Sequence, residues 1–226
     1  MLDLIYPENL YCICCGDLLD SRSGRSLCEK CVSQINWTAD NPFKNAMDDF
    51  CFDDLICCCI YGYFPRQIVH KFKLAGKKEL ARPIAEMMTQ SIRGYIRSVG
   101  AVFDYICFVP CTKEKEKKRG YNQAQLLAKH ISEGLNIPVL DCLVKAGESG
   151  SQRLRSGEER MLAQPDYAKR PGCEIPDGSC ILLIDDVLTT GSTADKCSLA
   201  LKNAGAQDVC VCVFASSGGP RFEDDG

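Results

Sequence analysis

The amino-acid sequence predicts an α/β protein, in which a parallel sheet flanked by helices follows a small cysteine-rich module. From about residue 51 to residue 216, apolar runs alternate with helical patterns, and this alternation favours β-α units with parallel strands. Two C-x-x-C pairs lie within residues 1–40, a region with little helical periodicity. With 226 residues, 46% of them hydrophobic and 25% charged, the chain can form one full domain and a small module.

Changes in composition along the chain predict where these parts begin and end. The cysteine module is expected over residues 1–40 and the α/β domain over residues 51–216. The polar stretch between them, NPFKNAMDDF, is expected to be a linker. Residues 217–226 are rich in glycine and acids and are expected to form a flexible tail.

Charge and cysteine content limit the classes of function. A net charge of −3 argues against a chain-wide basic surface, so any binding of nucleic acid must use a local patch. The first ten residues contain two acids and no long apolar core, which predicts no signal peptide. The most apolar stretch, residues 55–64, is too short to cross a bilayer. We therefore expect a cytoplasmic protein whose 17 cysteines stay reduced.

Four of the cysteines have the spacing of a structural metal site. The two C-x-x-C pairs consist of Cys12, Cys15, Cys28 and Cys31. Four thiolates at this spacing suit tetrahedral zinc, and a segment this short has little core of its own. Gly16 supports this register because a knuckle needs a permissive backbone. Cys14 is an alternative ligand, and a redox role for the C-x-x-C pairs is a second interpretation. The prediction is a zinc ribbon.

The clearest β-α-β unit is expected over residues 180–215. Residues 180–184 and 208–215 are apolar runs typical of buried strands. A helix with Gly205 as its stop is predicted between them from the spacing of Ala194, Cys197, Leu201 and Ala204.

Two further units are expected upstream. Residues 105–109 predict a strand, followed by a helix that ends at Gly134. A strand-like start at Tyr61 leads into a helical pattern that continues to about residue 88. The inner face of that pattern is predicted to consist of Ile68, Phe72, Leu80, Ile84 and Met87.

The stretch ILLIDDVLTTGST, residues 181–193, predicts a phosphosugar site. Asp185 and Asp186 follow a buried strand, and the carboxyl ends of parallel strands are where open α/β sheets bind ligands. The next residues turn into a helix, whose first N–H groups attract anions. The predicted 5-phosphate cradle consists of Thr189, Thr190, Gly191, Ser192 and Thr193. The carboxylates would instead accept hydrogen bonds from ribose hydroxyls. A plain strand-to-helix turn without a ligand is the alternative.

This stretch resembles the 5-phosphoribosyl-1-pyrophosphate (PRPP) signature of type I phosphoribosyltransferases. The resemblance implies a type I phosphoribosyltransferase-like sheet and a second anion site for the pyrophosphate. Arg119 and Gly120 follow a Lys-rich segment and precede a predicted helix, so they are candidates for that second site. Lysine and glutamate alternate in the same segment, and a solvated charged loop is the alternative interpretation.

Three segments, in order, resemble the competence protein F (ComF) family. Residues 60–81 are similar to a family region with a lysine at Lys73, which the resemblance places at the pyrophosphate. Residues 107–130 are similar to the family pattern V-P-x-P followed by R-G-[FY]-N-Q-A. Residues 151–168 are similar to a segment that closes over the site and align Gln152 and Arg160 with it. The cysteine module resembles the family's N-terminal zinc module.

The family resemblance implies a role in DNA uptake during natural transformation. The expected ligand is PRPP or a ribose 5-phosphate together with Mg²⁺, and the expected partners are single-stranded DNA and other competence proteins. A basic stripe for DNA is expected from Lys71, Lys73, Lys77, Lys78 and residues 113–119. The first alternative is an active phosphoribosyltransferase in nucleotide salvage or synthesis. The second is a zinc-organised docking protein that senses nucleotides. No residue is identified as catalytic.

The chain departs from the family pattern in the segment that closes over the site. A basic pair that usually precedes the glutamine is reduced to Lys145, and residues 146–151 read AGESGS. Gln164 stands where asparagine is usual, and Thr112 replaces a proline nearer the pyrophosphate loop. Because closure excludes water from the reacting centre, these departures predict that binding is retained better than turnover.

Overall fold

A computed structural model of the chain describes residues 10–19, 26–38, 41–74, 77–146 and 166–217. Its strands are β1 (Asp54–Ile60), β2 (Tyr105–Phe108), β3 (Leu143–Lys145), β4 (Tyr167–Lys169), β5 (Ser179–Leu188) and β6 (Ala206–Ser216). Its α-helices are α1 (Glu29–Gln34), α2 (Tyr63–Leu74), α3 (Ala81–Val99), α4 (Lys113–Arg119), α5 (Gln123–Leu135) and α6 (Ser192–Lys202). Two 3-10 helices are present at Lys44–Asp49 and Lys78–Leu80.

The main sheet is parallel throughout and has the strand order β1-β6-β5-β2. The two central strands, β5 and β6, consist mainly of buried apolar residues, as expected for strands covered on both faces. Helices α3 and α5 pack against each other and against the sheet, and α6 packs on β5 and β6. The predicted α/β class with a parallel sheet is confirmed.

Several element boundaries differ from the sequence prediction. β5 continues through both acids to Leu188, because β6 still offers a hydrogen-bonding partner there. The helix predicted to end at Gly134 ends at Leu135, and Asn136 follows it in the left-handed conformation with φ 57°. The strand expected to begin at Tyr61 lies earlier, as β1, and the pattern after it forms two α-helices, α2 and α3. On α3 the fully buried methionine is Met88, not the predicted Met87.

Residues 113–119 form helix α4, although a Lys-rich loop was predicted. The hydroxyl of Thr112 caps this helix by accepting a hydrogen bond from Lys115 N at 3.2 Å. Acids lie in its first turn and basic residues in its last turn, which complements the helix dipole. A charged alternation that indicates a solvated loop can therefore form an exposed helix when a cap is present.

The segment predicted as a polar linker, residues 41–50, is packed against the domain. Phe43 and Phe50 flank its 3-10 helix, and both rings lie partly buried against the core. Asn41 donates to the carboxylate of Asp54 at 3.3 Å, which ties the segment to the start of β1. Burial of these aromatic rings holds the segment against the domain despite its polar composition.

The cysteine module is attached to the edge of the main sheet. Ile60 N donates to Asn36 O at 2.9 Å, and Thr38 N donates to Cys58 O at 3.0 Å. These bonds cover the outer edge of β1, which would otherwise expose unpaired backbone groups. Trp37 pairs with Cys59 at this junction. Among the described residues, no helix is long and apolar enough to cross a membrane.

Candidate functional site

The two adjacent acids lie in the last part of β5. On one side β5 still pairs with β6, since Asp185 lies opposite Val213. On the other side the pairing with β2 stops at Ile184, whose carbonyl accepts from Val109 N at 3.0 Å. Asp185 and Asp186 therefore lie beyond the end of β2, at the edge where open α/β sheets bind ligands.

The two carboxylates have different environments. Asp186 is buried, and its Oδ1 lies 2.7 Å from Nζ of Lys73. Oδ1 of Asp185 accepts a hydrogen bond from the backbone N of Asp186 at 2.8 Å. Burial, reinforced by the charge of Asp186, raises the pKa of Asp185 to about 7. Asp186 is thus paired with an ammonium, whereas the pKa of Asp185 is raised toward neutral pH, a perturbation typical of functional sites.

The Lys73–Asp186 ion pair joins a residue predicted to bind the pyrophosphate to a residue predicted to bind the ribose. Lys73 lies in the last turn of α2, and 30% of its side chain is exposed. A pyrophosphate would have to compete with Asp186 for this ammonium. The sequence prediction treated the two residues as parts of separate subsites and did not anticipate their contact.

The predicted phosphate loop, residues 189–193, leads directly into α6. Gly191 precedes the helix with φ +80°, a left-handed conformation that favours glycine. Its four hydroxyl-bearing neighbours are exposed: Thr189, Thr190, Ser192 and Thr193. Oγ1 of Thr190 accepts from Ser192 N at 3.4 Å, so the loop is partly organised by its own side chain. The loop presents the N-terminus of an 11-residue helix to solvent, which suits an anion.

Arg119 and Gly120 form the turn between α4 and α5. Gly120 is left-handed with φ +81°, and Nη1 of Arg119 donates to Oε1 of Gln123 at 3.1 Å. Gln123 is 4% exposed, and its Nε2 has no hydrogen-bond partner among the described residues. A buried donor without a partner is energetically unfavourable. Sequence reasoning missed Gln123, although it lies in the quoted RGYNQA run.

Tyr121 joins the two cationic segments and was also missed. Its hydroxyl donates to the carbonyl of Phe72, and the two rings lie 5.7 Å apart. Nζ of Lys78 lies 5.5 Å from the centroid of the Tyr121 ring. Burial raises the pKa of Tyr121. Since Lys73 directly follows Phe72, these contacts hold Lys73 close to the turn that contains Arg119.

The hairpin of β3 and β4 lies beside α6. Ala146 N donates to Asp166 O at 2.8 Å, so the two ends of the segment between them meet next to this helix. The predicted closing residues Gln152 and Arg160 belong to that segment and lie outside the described residues. Their role stays a prediction.

The predicted zinc ligands form one cluster. The Sγ atoms all lie within 4.8 Å of one another in the set Cys12, Cys15, Cys28 and Cys31. The Sγ atoms of Cys15 and Cys28 are 3.7 Å apart. A tetrahedral zinc with Zn–S bonds of about 2.3 Å requires S–S distances of about 3.8 Å, so the donor set fits zinc. The thiol of Cys14, the alternative ligand, donates to Phe64 O at 3.8 Å and lies outside the cluster.

Backbone groups around the cluster favour thiolates. Cys28 N donates to Sγ of Cys12 at 3.4 Å, and Asp17 N donates to Sγ of Cys15 at 3.4 Å. Although burial raises the pKa of Cys12, the backbone N–H groups of Cys28, Cys15 and Cys14 lower it to about 6. Gly16 has φ +84°, the permissive backbone that the sequence prediction required. Four thiols in one cluster favour a metal over two separate redox pairs.

Residues 119–226 match the model of the phosphoribosyl transferase domain family. Competence protein F from Haemophilus influenzae is 25% identical over 199 residues, which are 81% of this chain and 82% of that protein. Competence protein ComFC from Streptococcus pneumoniae is 24% identical and covers 88% of this chain and 96% of its own length. DNA utilization protein YhgH from Escherichia coli O157:H7 is 26% identical over 64% of this chain and 65% of its own.

These similarities confirm two predictions made from the sequence. The resemblance to the competence protein F family is confirmed by relatives that span most of the chain. The type I phosphoribosyltransferase-like fold class is confirmed by the matched domain and by the parallel sheet flanked by helices. The cysteine cluster is consistent with the predicted zinc ribbon.

Proposed function

We propose, because the chain is similar to competence protein F, ComFC and YhgH and contains a phosphoribosyl transferase domain, that it binds PRPP or a ribose 5-phosphate. The proposal includes a cytoplasmic role in DNA uptake. The relatives' names refer to competence and DNA utilization, and the shared domain supplies the sugar-phosphate site. The chain is proposed to retain binding of PRPP better than it retains catalytic turnover.

One observation carries the binding proposal: two acids lie at the carboxyl end of the sheet between two helix-starting loops. Asp185 and Asp186 are directly followed by the loop into α6. Through Val109, the end of β2 contacts the residue before them and continues toward the Arg119 turn. Hydrogen-bond acceptors for hydroxyls thus lie between two regions suited to anions. PRPP has the matching order of groups, with ribose hydroxyls between a 5-phosphate and a pyrophosphate.

In the proposed complex, each part of PRPP has its own protein groups. The 5-phosphate accepts from backbone N–H groups and hydroxyls of residues 190–193. The ribose hydroxyls donate to Asp185 and Asp186, and the pyrophosphate contacts Arg119 and Lys73. For this, Lys73 exchanges its contact with Asp186 for one with the ligand. Mg²⁺, when bound with PRPP, would neutralise part of the pyrophosphate charge.

The active-transferase alternative is favoured by a cleft beside the pyrophosphate turn. This cleft has a volume of about 560 Å³ and lies between α4 and the β3–β4 hairpin. It is large enough for a nucleobase-sized acceptor. Incubation with PRPP, Mg²⁺ and a panel of purine and pyrimidine bases, with pyrophosphate release as the readout, separates the two functions. We expect slow, base-independent release, and rapid base-dependent release would establish the alternative.

For single-stranded DNA, a cleft between the cysteine module and the α2–α3 connection is the proposed surface. It has a volume of about 830 Å³ and includes Lys71, Lys77, Lys78 and Arg82. The ring of Tyr11, 60% exposed, lies at the same cleft and could stack on a base. Glu79 and Glu86 also line it, so binding is expected to be moderate and sensitive to salt.

Not all residues of the predicted basic stripe contribute to the proposed DNA surface. Lys71 donates to the carbonyls of Ile13 and Cys14, and Lys73 pairs with Asp186. Lys113, from α4, lies at the separate cleft beside the hairpin. The proposed DNA surface therefore depends mainly on Lys77 and Lys78, while Arg82 already pairs with Glu86 at 3.3 Å.

Calorimetric titration of the full chain with ribose 5-phosphate tests the binding proposal. Saturable binding of one ligand per chain is the expected result. Absence of binding at millimolar ligand, in protein whose fold is verified by circular dichroism, would refute the sugar-phosphate site.

A further inference from the structure

The ring of Phe50 is in contact with the backbone of the proposed phosphate loop. At Gly191, a side chain as small as a methyl group would lie 2.7 Å from Cε1 of Phe50 and 3.0 Å from its Cζ. A non-bonded Cβ essentially never lies as close as 2.7 Å to another carbon atom, so the ring fills the space beside this glycine. Two features therefore restrict position 191 to glycine: its φ of +80° and the Phe50 ring beside it.

The position of the Phe50 ring is itself fixed by two other aromatic residues. It stacks on Phe52 with a centroid distance of 4.6 Å and an interplanar angle of 18°. Phe43 contacts it edge-on at 5.7 Å and 83°. Phe52 is 2% exposed, so the stack is anchored in the core. Interdigitated aromatic rings have little freedom to move, which makes Phe50 a rigid support.

The backbone after Phe50 is tied to the same helix that the phosphate loop begins. Cys51 N donates to Oδ1 of Asp195, in the first turn of α6, at 2.6 Å. Asp53 pairs with Lys202, in the last turn of α6, at 2.7 Å. Residues 50–53 thus contact the loop before α6 and both ends of the helix.

We infer that Phe50 is a positioning residue for the proposed 5-phosphate loop. Backbone N–H groups bind an anion well only when the surrounding structure fixes their directions before the ligand arrives. The Phe50 ring restricts the backbone at Gly191, and the Cys51–Asp195 bond restricts the first helical turn. This inference rests on the proposed function, since it assigns a supporting residue to the same phosphate site.

The test compares two phenylalanine variants in the full, metal-loaded chain. Phe50→Leu removes the ring from Gly191, whereas Phe103→Leu removes a partly buried ring outside this stack, next to Tyr95, and serves as the matched control. Affinities for ribose 5-phosphate and for inorganic pyrophosphate are measured by calorimetry, and melting temperatures monitor stability. We expect Phe50→Leu to bind ribose 5-phosphate about tenfold more weakly, because misplaced binding groups lose affinity steeply. Pyrophosphate affinity should stay within about twofold, and the control should retain both.

The inference is overturned if Phe50→Leu binds ribose 5-phosphate like the wild type. It is also overturned if Phe103→Leu, at equal melting temperature, loses as much affinity as Phe50→Leu. Failure of the wild type to bind ribose 5-phosphate is a different result, which refutes the proposed function.

A ligand-free measurement keeps the inference testable in that case. Hydrogen exchange of the amides of Gly191 and Ser192 should be faster in Phe50→Leu than in Phe103→Leu by about tenfold, because only the first releases the loop. Equal exchange in the two variants would show that Phe50 does not position the loop.

Discussion

The cysteine module and the sugar-phosphate site are both built from charged or ionisable groups, but they are preorganised to different degrees. In the module, four thiols of one chemical type already lie within 4.8 Å of one another. In the sugar-phosphate site, Lys73 pairs with Asp186, and Asp185 accepts from the next backbone N–H. A metal in the first site replaces only thiol protons and contacts among the thiols, whereas a ligand in the second site must displace an ion pair. Four thiolates in one cluster repel one another until a cation binds them, while mixed charges can neutralise each other.

The largest expected effect is the loss of zinc from the module. Cys28→Ser removes one of four ligands, and structural zinc contributes on the order of 10 kcal/mol to the folding of such segments. Metal analysis should find one zinc per wild-type chain and much less than one in the variant. Cys14→Ala, which changes a buried cysteine outside the cluster, is the control and should retain zinc. Equal zinc in both variants would contradict the four-cysteine site.

A smaller effect is expected from breaking the Lys73–Asp186 pair. Lys73→Met leaves the buried carboxylate of Asp186 without its ammonium, which should lower the free energy of unfolding by about 1–3 kcal/mol in urea titrations. Pyrophosphate affinity should fall as well. Lys196→Met, which removes an exposed ion pair with Asp166, is the control and should cost less than about 1 kcal/mol. A neutral effect of Lys73→Met would show that the pair does not hold the site.

The titration of Asp185 predicts a pH-dependent stability. Its pKa is raised by burial to about 7 in the folded chain, and it is near 4 when the chain is unfolded. The stability that protonated Asp185 contributes is present below pH 4 and is lost as pH rises through about 7. The difference in the free energy of unfolding between Asp185→Asn and the wild type should therefore increase in favour of the variant by about 1–3 kcal/mol from pH 5 to pH 8. Thermal unfolding at both pH values measures this.

The exposed carboxylate of Asp48 offers a control for this pH series. The stability of Asp48→Asn should equal that of the wild type at both pH 5 and pH 8. If the pH dependence of Asp185→Asn also matched that of the wild type, Asp185 would not have the raised pKa assigned to it. Ribose 5-phosphate should also bind the wild type more tightly at pH 8 than at pH 6, since the ionised carboxylate is the better hydrogen-bond acceptor.

The smallest expected effect concerns DNA at the cleft beside the module. Lys77→Ala with Lys78→Ala should weaken binding of a single-stranded oligonucleotide and reduce the slope of log affinity against log salt by about 1.4, or 0.7 per lost phosphate contact. Fluorescence anisotropy at several salt concentrations measures both quantities. Replacing Lys117 and Lys118, on the exposed face of α4, should change neither. If the second pair had the larger effect, DNA would bind at α4 instead.

The sequence was sufficient for features that depend on local spacing. The C-x-x-C pairs predicted the cluster, and the apolar runs of β5 and β6 predicted the central strands. It was insufficient where distant residues decide the outcome. The Lys73–Asp186 pair joins positions far apart in the chain, and no local pattern indicates it. Thr112 was noted as a departure from a family pattern, but its role as the cap of α4 depends on the backbone around it.

The segment of residues 41–50 shows the same limit. Its polar composition predicted a linker, yet Phe43 and Phe50 hold it against the domain. The contact of Phe50 with Gly191 could not be predicted, because the glycine had a sufficient explanation in its own turn. Tyr121 was overlooked for a similar reason: its neighbours Arg119 and Gly120 already explained the motif.

Calorimetric titration with PRPP in the presence of Mg²⁺, comparing the wild type with the variant carrying Asp185→Asn and Asp186→Asn, tests the central claim most directly. The account predicts saturable binding by the wild type and a loss of about 1–3 kcal/mol for each charged hydrogen bond removed, in a variant that remains folded. A folded variant that binds PRPP with unchanged affinity would contradict the assignment of the two acids to the ribose.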